Sequence, residues 1–259
     1  MTVPSSETIR RIAFLVEYDG TDYIGWQAQK GELPSIQGAF RKVLDDFFEK
    51  PTPIDGSSRT DAGVHALSQL AAISIQHPIQ LSGLRKVLNS RLPKTIAIRS
   101  PREVAAGFFP RHAVHSKTYV YTLYVDRWQQ PLLDRFATRI SHELDLNTIE
   151  SAAQALIGTH DFTSYAASDG QSKTAIRTLK SIRVERFGRE QIRLTFTGTA
   201  FLKQMVRNLV GSLIEVGRGH RKPDWLIEVL DAQDRKLAGP TAPARGLTLF
   251  SSDVDWTHG

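Results

Sequence analysis

One run of residues is denser in small, polar and charged side chains than any core strand: Gly56-Ser57-Ser58-Arg59-Thr60-Asp61-Ala62-Gly63-Val64-His65-Ala66. Where the chain is extended, Arg59 and Asp61 share a face, and Gly63 leaves room for a ligand to reach the backbone. Asp61, with a guanidinium beside it, is therefore the first candidate for acid–base or nucleophilic work. The plain alternative is a polar loop with an Asx-type turn and an incidental ion pair. Other chemistries have less support. His112 and His115 are spaced i, i+3 with no third ligand in sight, so no metal site is expected. There is no G-x-x-x-x-G-K-S/T phosphate loop and no G-x-S-x-G elbow, and Gly217-x-Gly219 lacks the strand and third glycine of a dinucleotide site. Cysteine is absent, which excludes disulfides, thiolate metal sites and a cysteine nucleophile.

The company of Asp61 is basic and aromatic. The 259 residues carry 33 Lys and Arg against 27 Asp and Glu, a formal net charge of +6. That excess is segregated. Arg85 to Lys117 holds about eight basic residues against Glu103 alone, and Gln171 to Lys222 about twelve against three acids. Such local concentration suits a polyanion, because neutralising phosphates releases counterions at the point of contact; solvated strand and helix faces are the alternative. Tyr119 and Tyr121 follow Arg111 and Lys117, where a ring can stack on an unpaired base while cations hold the adjoining phosphates. Packing of the same tyrosines in a sheet core competes with that reading.

Regular elements must hold these residues in place. Ile12 to Tyr18 reads as a strand ending at Asp19-Gly20. Ser35 opens a helix in which Ile36, Phe40, Val43, Leu44 and Phe47 follow the 3.6 period, closed by Pro51. Gln69 to Ile75 and Thr95 to Arg99 read as strands, with a helix from Leu81 to Leu92 between them. Thr118 to Val125 alternates Tyr119, Tyr121, Leu123 and Val125 to one face of a strand. A helix over Leu146 to Ile157 follows. Strands at Leu179 to Arg186 and Gln191 to Thr197 are then joined through Phe187-Gly188-Arg189-Glu190, too short a connection for a parallel crossover. Phe201 to Val216 is expected as an amphipathic helix with Phe201, Leu202, Met205 and Leu209 on its apolar face and Arg207 off it, and Asp224 to Leu230 as a shorter one. The length allows one large domain or two ordinary ones. Two α+β halves, 1–106 and 107–259, are the economical division. The polar start, Met1 to Arg11, lacks a signal peptide's apolar core, and no run approaches membrane-spanning length, so the cytoplasm is expected.

With these segments identified, the chain resembles the TruA family of tRNA pseudouridine synthases nearly end to end. Tyr18-Asp19-Gly20-Thr21 with Gly25-Trp26-Gln27-x-Gln29 is similar to the family's opening, and Arg59-Thr60-Asp61-Ala62-Gly63-Val64-His65-Ala66 to its active-site motif. Phe108-x-x-Arg111 with Lys117-x-Tyr119-x-Tyr121 follows. Then come His160-Asp161-Phe162-Thr163, Phe201-Leu202-x-x-Met205-Val206-Arg207-Asn208 and Gly246-Leu247-x-Leu249, in the family's order. Ser58 stands where glycine is expected, Pro110 where alanine is common and Trp256 where tyrosine is frequent.

The resemblance implies two ferredoxin-like α+β halves sharing a central, largely antiparallel sheet with the active-site cleft between them. It implies isomerisation of uridine to pseudouridine at positions 38, 39 and 40 of the tRNA anticodon stem-loop, by a homodimer. The reaction moves uracil from an N1 to a C5 linkage with no atom gained or lost, so no metal or organic cofactor is expected. Asp61 is implied as the nucleophilic or proton-abstracting carboxylate at the ribose, with Arg59 and Arg207 keeping it ionised. Tyr119 is implied as the ring that stacks on the flipped uracil, and Leu247 as a substrate-binding position. A non-catalytic RNA-binding or RNA-chaperone protein would share the basic stretches and tyrosines without needing Asp61. A glycosidase or nuclease would need a second acid or a metal cluster, and neither lies near Arg59 to His65.

Phosphate contacts of this kind make a direct forecast. The affinity for tRNA should fall by about tenfold or more between low and physiological ionic strength. A salt titration of binding checks this, and a flat response contradicts it.

Overall fold

The computed structural model describes residues 8–29, 33–188 and 190–259. Most of the polar start lies outside the described residues, as does Arg189 of the expected Phe187–Glu190 connection. The chain divides into two compact units, residues 1–115 with 249–259 and residues 116–248.

In the first unit β1 (Arg10–Tyr18) is buried along most of its length. Ser35 caps α1 (Ile36–Phe48) by accepting from the Gly38 N–H at 3.1 Å, and Ile36, Phe40, Val43 and Leu44 form its buried stripe. Glu49, with φ 53°, ends the helix before Pro51. There follow β2 (Ile54–Gly56), β3 (His65–Ile75), α2 (Leu81–Arg91) and β4 (Ile96–Val104). β1 lies between β3 and β4, antiparallel to both, while β2 runs antiparallel along the C-terminal part of β3. This strand–helix–strand–strand–helix–strand succession is the ferredoxin-like arrangement. β3 opens at His65, ahead of the expected Gln69, and so takes the end of the polar segment into the sheet. One face of this sheet is built from small residues, Ala13 and Ala72 with Leu70, and is covered by Phe108, Ala113 and Trp256.

The second unit repeats the pattern. β5 (Val114–Val125), whose first two residues belong to the first unit, is followed by β6 (Thr138–Ile140), α3 (Leu146–Gln154), β7 (Gly158–Asp161), β8 (Ile176–Phe187) and β9 (Gln191–Gly198). Then come α4 (Met205–Gly217) and α5 (Trp225–Ala232). β5, β9, β8 and β7 lie side by side in that order, all antiparallel, with β6 parallel to β5. As expected, Tyr119, Tyr121 and Leu123 are buried on one face; Tyr124, on the other, is buried too. The last strand, β10 (Leu247–Val254), enters the first unit at Leu249 and lies beside β3, where the Ser252 hydroxyl donates to the Ser68 carbonyl at 3.1 Å. The protein is thus of the α+β class.

α2 and α5 fall within two residues of their expected bounds, and two helices differ by more, for local reasons. α4 begins at Met205 rather than Phe201 because Gln204 takes a left-handed conformation, φ 60°, which no helix interior tolerates. Phe201 and Leu202 therefore precede the helix instead of lining its face. α3 stops at Gln154, short of Ile157: the next three amides bond three residues back, tightening the chain into a turn that delivers Gly158 at φ +121°. Among the described residues no helix is long and apolar enough to cross a membrane.

Candidate active site

Asp61 lies on the loop between β2 and β3. Thr60 is turned inward, 7% exposed, and its hydroxyl meets the Tyr18 hydroxyl at 2.8 Å. Its neighbours then face outward, as alternation in an extended segment requires: Arg59 is exposed and Asp61 half-buried. The Trp26 N–H donates to the Thr60 carbonyl at 3.2 Å. Extension ends there. The Asp61 carbonyl accepts from the Val64 N–H at 3.2 Å, closing a turn whose Gly63 has φ +75° and gives its own N–H to the Tyr23 carbonyl at 3.2 Å.

This loop depends on close backbone approach. A methyl group on Gly25, which has φ +111°, would stand 2.4 Å from the Thr60 carbonyl oxygen, and one on Gly20 would stand 2.0 Å from the Val64 oxygen. His65 is 3% exposed, and its Nδ1 accepts from the Gly20 N–H at 3.1 Å. The fully buried Gln69 donates to the Ser58 carbonyl at 2.5 Å and accepts from the Ser57 hydroxyl at 3.3 Å. The segment from Tyr18 to Trp26 and the segment from Ser57 to His65 are therefore two sides of one hydrogen-bonded structure.

Tyr119, Arg207 and Leu247 belong to the second unit, whereas Arg59 and Asp61 belong to the first. Tyr119 is 8% exposed and meets the Phe201 ring edge-on, with centroids 4.9 Å apart. Arg207, in the first turn of α4, donates from Nε to the Ala242 carbonyl at 2.7 Å, while the Ala242 N–H returns a bond to the Arg207 carbonyl at 3.1 Å. The next residue after Ala242 is held by Tyr121, whose hydroxyl donates to the Pro243 carbonyl at 2.8 Å and meets the Thr138 hydroxyl at 2.8 Å. Burial pushes the Tyr121 phenol up to about 12, against the pull of the Thr138 hydrogen bond and of the Arg207 and Arg245 charges. It therefore remains a proton donor at any physiological pH. Gly246 lies flat on the same ring, where a methyl would stand 2.6 Å away, and so delivers Leu247 to the buried start of β10.

The residues around Arg207 that sequence reading passed over are the ones that hold α4. Asn208 is wholly buried and donates to the Tyr165 carbonyl at 2.8 Å; its Oδ1 accepts from Arg235 at 2.9 Å and from the Thr241 hydroxyl at 2.7 Å. Gly211 fits directly under the Pro240 carbonyl. The available signal was an asparagine set among Met205, Val206, Leu209 and Val210, a residue type that is buried only with its amide satisfied. His112 and His115 are both exposed, the first in a turn and the second on β5. Among the described residues no three His, Asp or Glu side chains group as metal ligands.

Comparison with known proteins gives a consistent picture. A family model described as tRNA pseudouridine synthase matches residues 14–109 and 152–255. A tRNA pseudouridine synthase A of Myxococcus xanthus is 39% identical over 239 residues, 92% of this chain and 90% of the relative. One from Aliivibrio fischeri strain MJ11 is 39% identical over 246 residues, 95% of this chain and 92% of the relative. One from Brevibacillus brevis is 38% identical over 242 residues, covering 93% and 98%.

The glycine contacts separate packing from backbone strain. Gly188, at φ +68° with open space around it, should lose about 1 kcal/mol of stability on replacement by alanine. Gly25→Ala should lose about 2 kcal/mol or more beyond that, because the Thr60 carbonyl must move as well. Urea denaturation of both variants checks the difference, and equal losses would mean that the approach to Thr60 is not tight.

Proposed function

The chain belongs to the tRNA pseudouridine synthase family and turns uridine into pseudouridine in tRNA, and on that premise we propose where it acts and which residues do the work. Its targets are the uridines at positions 38, 39 and 40 of the anticodon stem-loop. It works in the cytoplasm as a homodimer. Asp61 is the carboxylate that acts at the ribose, as nucleophile at C1′ or as the base that removes a ribose proton.

The observation that carries this reading is the way Thr60 is locked. Its carbonyl and hydroxyl are both held by the Tyr18–Trp26 segment, so the half-buried Asp61 stands on a fixed backbone. Fixing a reacting group in this way supplies orientation that a mobile side chain lacks. In the isomerisation the C1′–N1 bond breaks, the freed uracil turns, and a C1′–C5 bond forms; the C5 proton leaves and N1 takes one up. A single carboxylate suffices because no water is consumed, unlike glycoside hydrolysis with its two acids. Arg59 and Arg207 supply positive charge that favours the ionised carboxylate and the phosphates beside the target.

Tyr119 stacks on the extruded uracil. Its ring is largely covered in the free protein, so engaging the base must uncover it. That cost adds to the few kcal/mol of unstacking the nucleotide, and contacts to the phosphates offset both. Leu247 contributes an apolar contact to the uracil pocket.

Asp61→Asn separates shape from charge. The variant should keep its thermal midpoint and its affinity for tRNA. Its release of tritium from tRNA labelled at uridine C5 should fall below about 1% of the parent rate, a barrier increase of roughly 3 kcal/mol. A folded, tRNA-binding variant that still releases label faster than that removes Asp61 from the chemistry.

A further inference from the structure

The two basic stretches differ in the acids around them. In the second, Arg186 pairs with Glu143 at 3.0 Å, Lys203 with Asp169, and Arg218 with Glu215 at 3.6 Å. Arg193 and Arg221 lie over the rings of Phe187 and Trp225. Lys173, Lys180, Arg183 and Lys222 are exposed with no such partner among the described residues, and Glu185 and Glu190 lie among them in the sequence.

The first stretch differs. From Ala62 to Arg102 the chain contains no Asp or Glu at all. Three of its cations are engaged: Arg91 lies over Phe47, Arg99 pairs with Glu17 at 2.8 Å, and Arg102 lies over Trp256. Arg85, Lys86 and Lys94 are exposed, and among the described residues no hydrogen bond or ion pair answers any of them. α2 buries Leu84 and Leu88, which turns Ser82, Arg85, Lys86, Asn89 and Ser90 outward as a face without an acid. Asn89 does not compete for a ligand, because its amide bonds both the N–H and the carbonyl of Ile98 and thereby fixes α2 to β4.

The position of this face matters as much as its charge. Lys94 directly precedes Thr95, whose carbonyl accepts from the Asp19 N–H at 2.9 Å and whose hydroxyl meets the Tyr23 hydroxyl at 2.7 Å. Tyr23 in turn accepts the Gly63 N–H of the Asp61 turn. The C-terminal end of α2 and the Asp61 loop therefore sit at the same end of the first unit's sheet, where Tyr18 pairs with both Ile96 and Ala66. From that end the helix carries Lys86 and Arg85 outward by about 9 Å relative to Arg91.

We propose that Lys94, Lys86 and Arg85 form a track for the sugar–phosphate backbone of RNA, starting at the rim of the Asp61 loop and running outward along α2. The inference rests on tRNA being the substrate and adds where its backbone lies. Lysines and arginines on a helix act here as point charges on successive phosphates, so they set affinity and register and leave base identity unread.

The test compares two triple variants with equal loss of charge. Arg85→Gln, Lys86→Gln and Lys94→Gln together remove the track; Arg41→Gln, Lys50→Gln and Lys236→Gln remove three exposed cations elsewhere. Binding of full-length tRNA is measured across a salt series, together with kcat and KM for tritium release. The track variant should bind at least about tenfold more weakly at low salt and lose about 2–3 from the slope of log affinity against log salt, with the loss of turnover falling on KM. The control triple should keep the parent slope to within about 1. Equal losses in the two triples, or a parent-like slope in the track variant, overturn the proposal. A parent protein that binds tRNA with this slope difference between the triples and yet releases no tritium would instead overturn the catalytic reading and leave the track standing.

Discussion

Everything proposed for Asp61 depends on the grip that the Tyr18–Trp26 segment has on Thr60. The residue is held twice, through its carbonyl by the Trp26 N–H and through its hydroxyl by Tyr18; Gly25 brings no Cβ against its carbonyl, and Gly20 brings none against Val64 at the other end of the loop. With Thr60 pinned inward, Arg59 is exposed and Asp61 half-buried. His65 and Gln69 fix the far side of the same loop from within β3, so the carboxylate stands on a backbone held from two directions. A site built this way loses little entropy at the moment of reaction, which is the advantage of fixing the group beforehand.

The second unit reaches a comparable rigidity by other means. There the keystone is polar and buried: Asn208 ties the first turn of α4 to Tyr165, Arg235 and Thr241, and the loop that follows Thr241 is threaded onto Arg207 and Tyr121. Each buried donor and acceptor in this network has a partner, which is the condition under which a buried polar group specifies a conformation instead of destabilising it. Tyr121, whose phenol burial pushes up to about 12, serves as a donor at the centre.

Much of this was legible in the residues and some was not. Ser35 with the apolar period after it marks α1 because both the cap and the stripe are local. The alternation of Tyr119, Tyr121 and Leu123 marks β5 for the same reason. The start of α4 was not legible, since nothing about Gln204 announces a left-handed backbone; that conformation is imposed by the chain around it. The bracing role of His65 was not legible either, because its burial and its bond to Gly20 come from the packing of β3 against the Tyr18–Trp26 segment. The charge of the second basic stretch was misleading in a similar way, because Glu143 and Asp169, which answer Arg186 and Lys203, lie outside the stretch in sequence. Composition counts charges; only the fold pairs them.

Whether Thr60 positions Asp61 through Tyr18 is read from a double-mutant cycle between Tyr18 and Thr60. Tyr18→Phe and Thr60→Val each remove one hydroxyl of the contact between them with little change in volume, and the single-turnover rate of tritium release at saturating tRNA reads the consequence for the chemistry. If Thr60 positions Asp61 through Tyr18, each single variant slows the reaction by about tenfold and the double variant is no slower than the worse single, because both remove the same interaction. Two effects that multiply, or single variants that react at the parent rate, would contradict it.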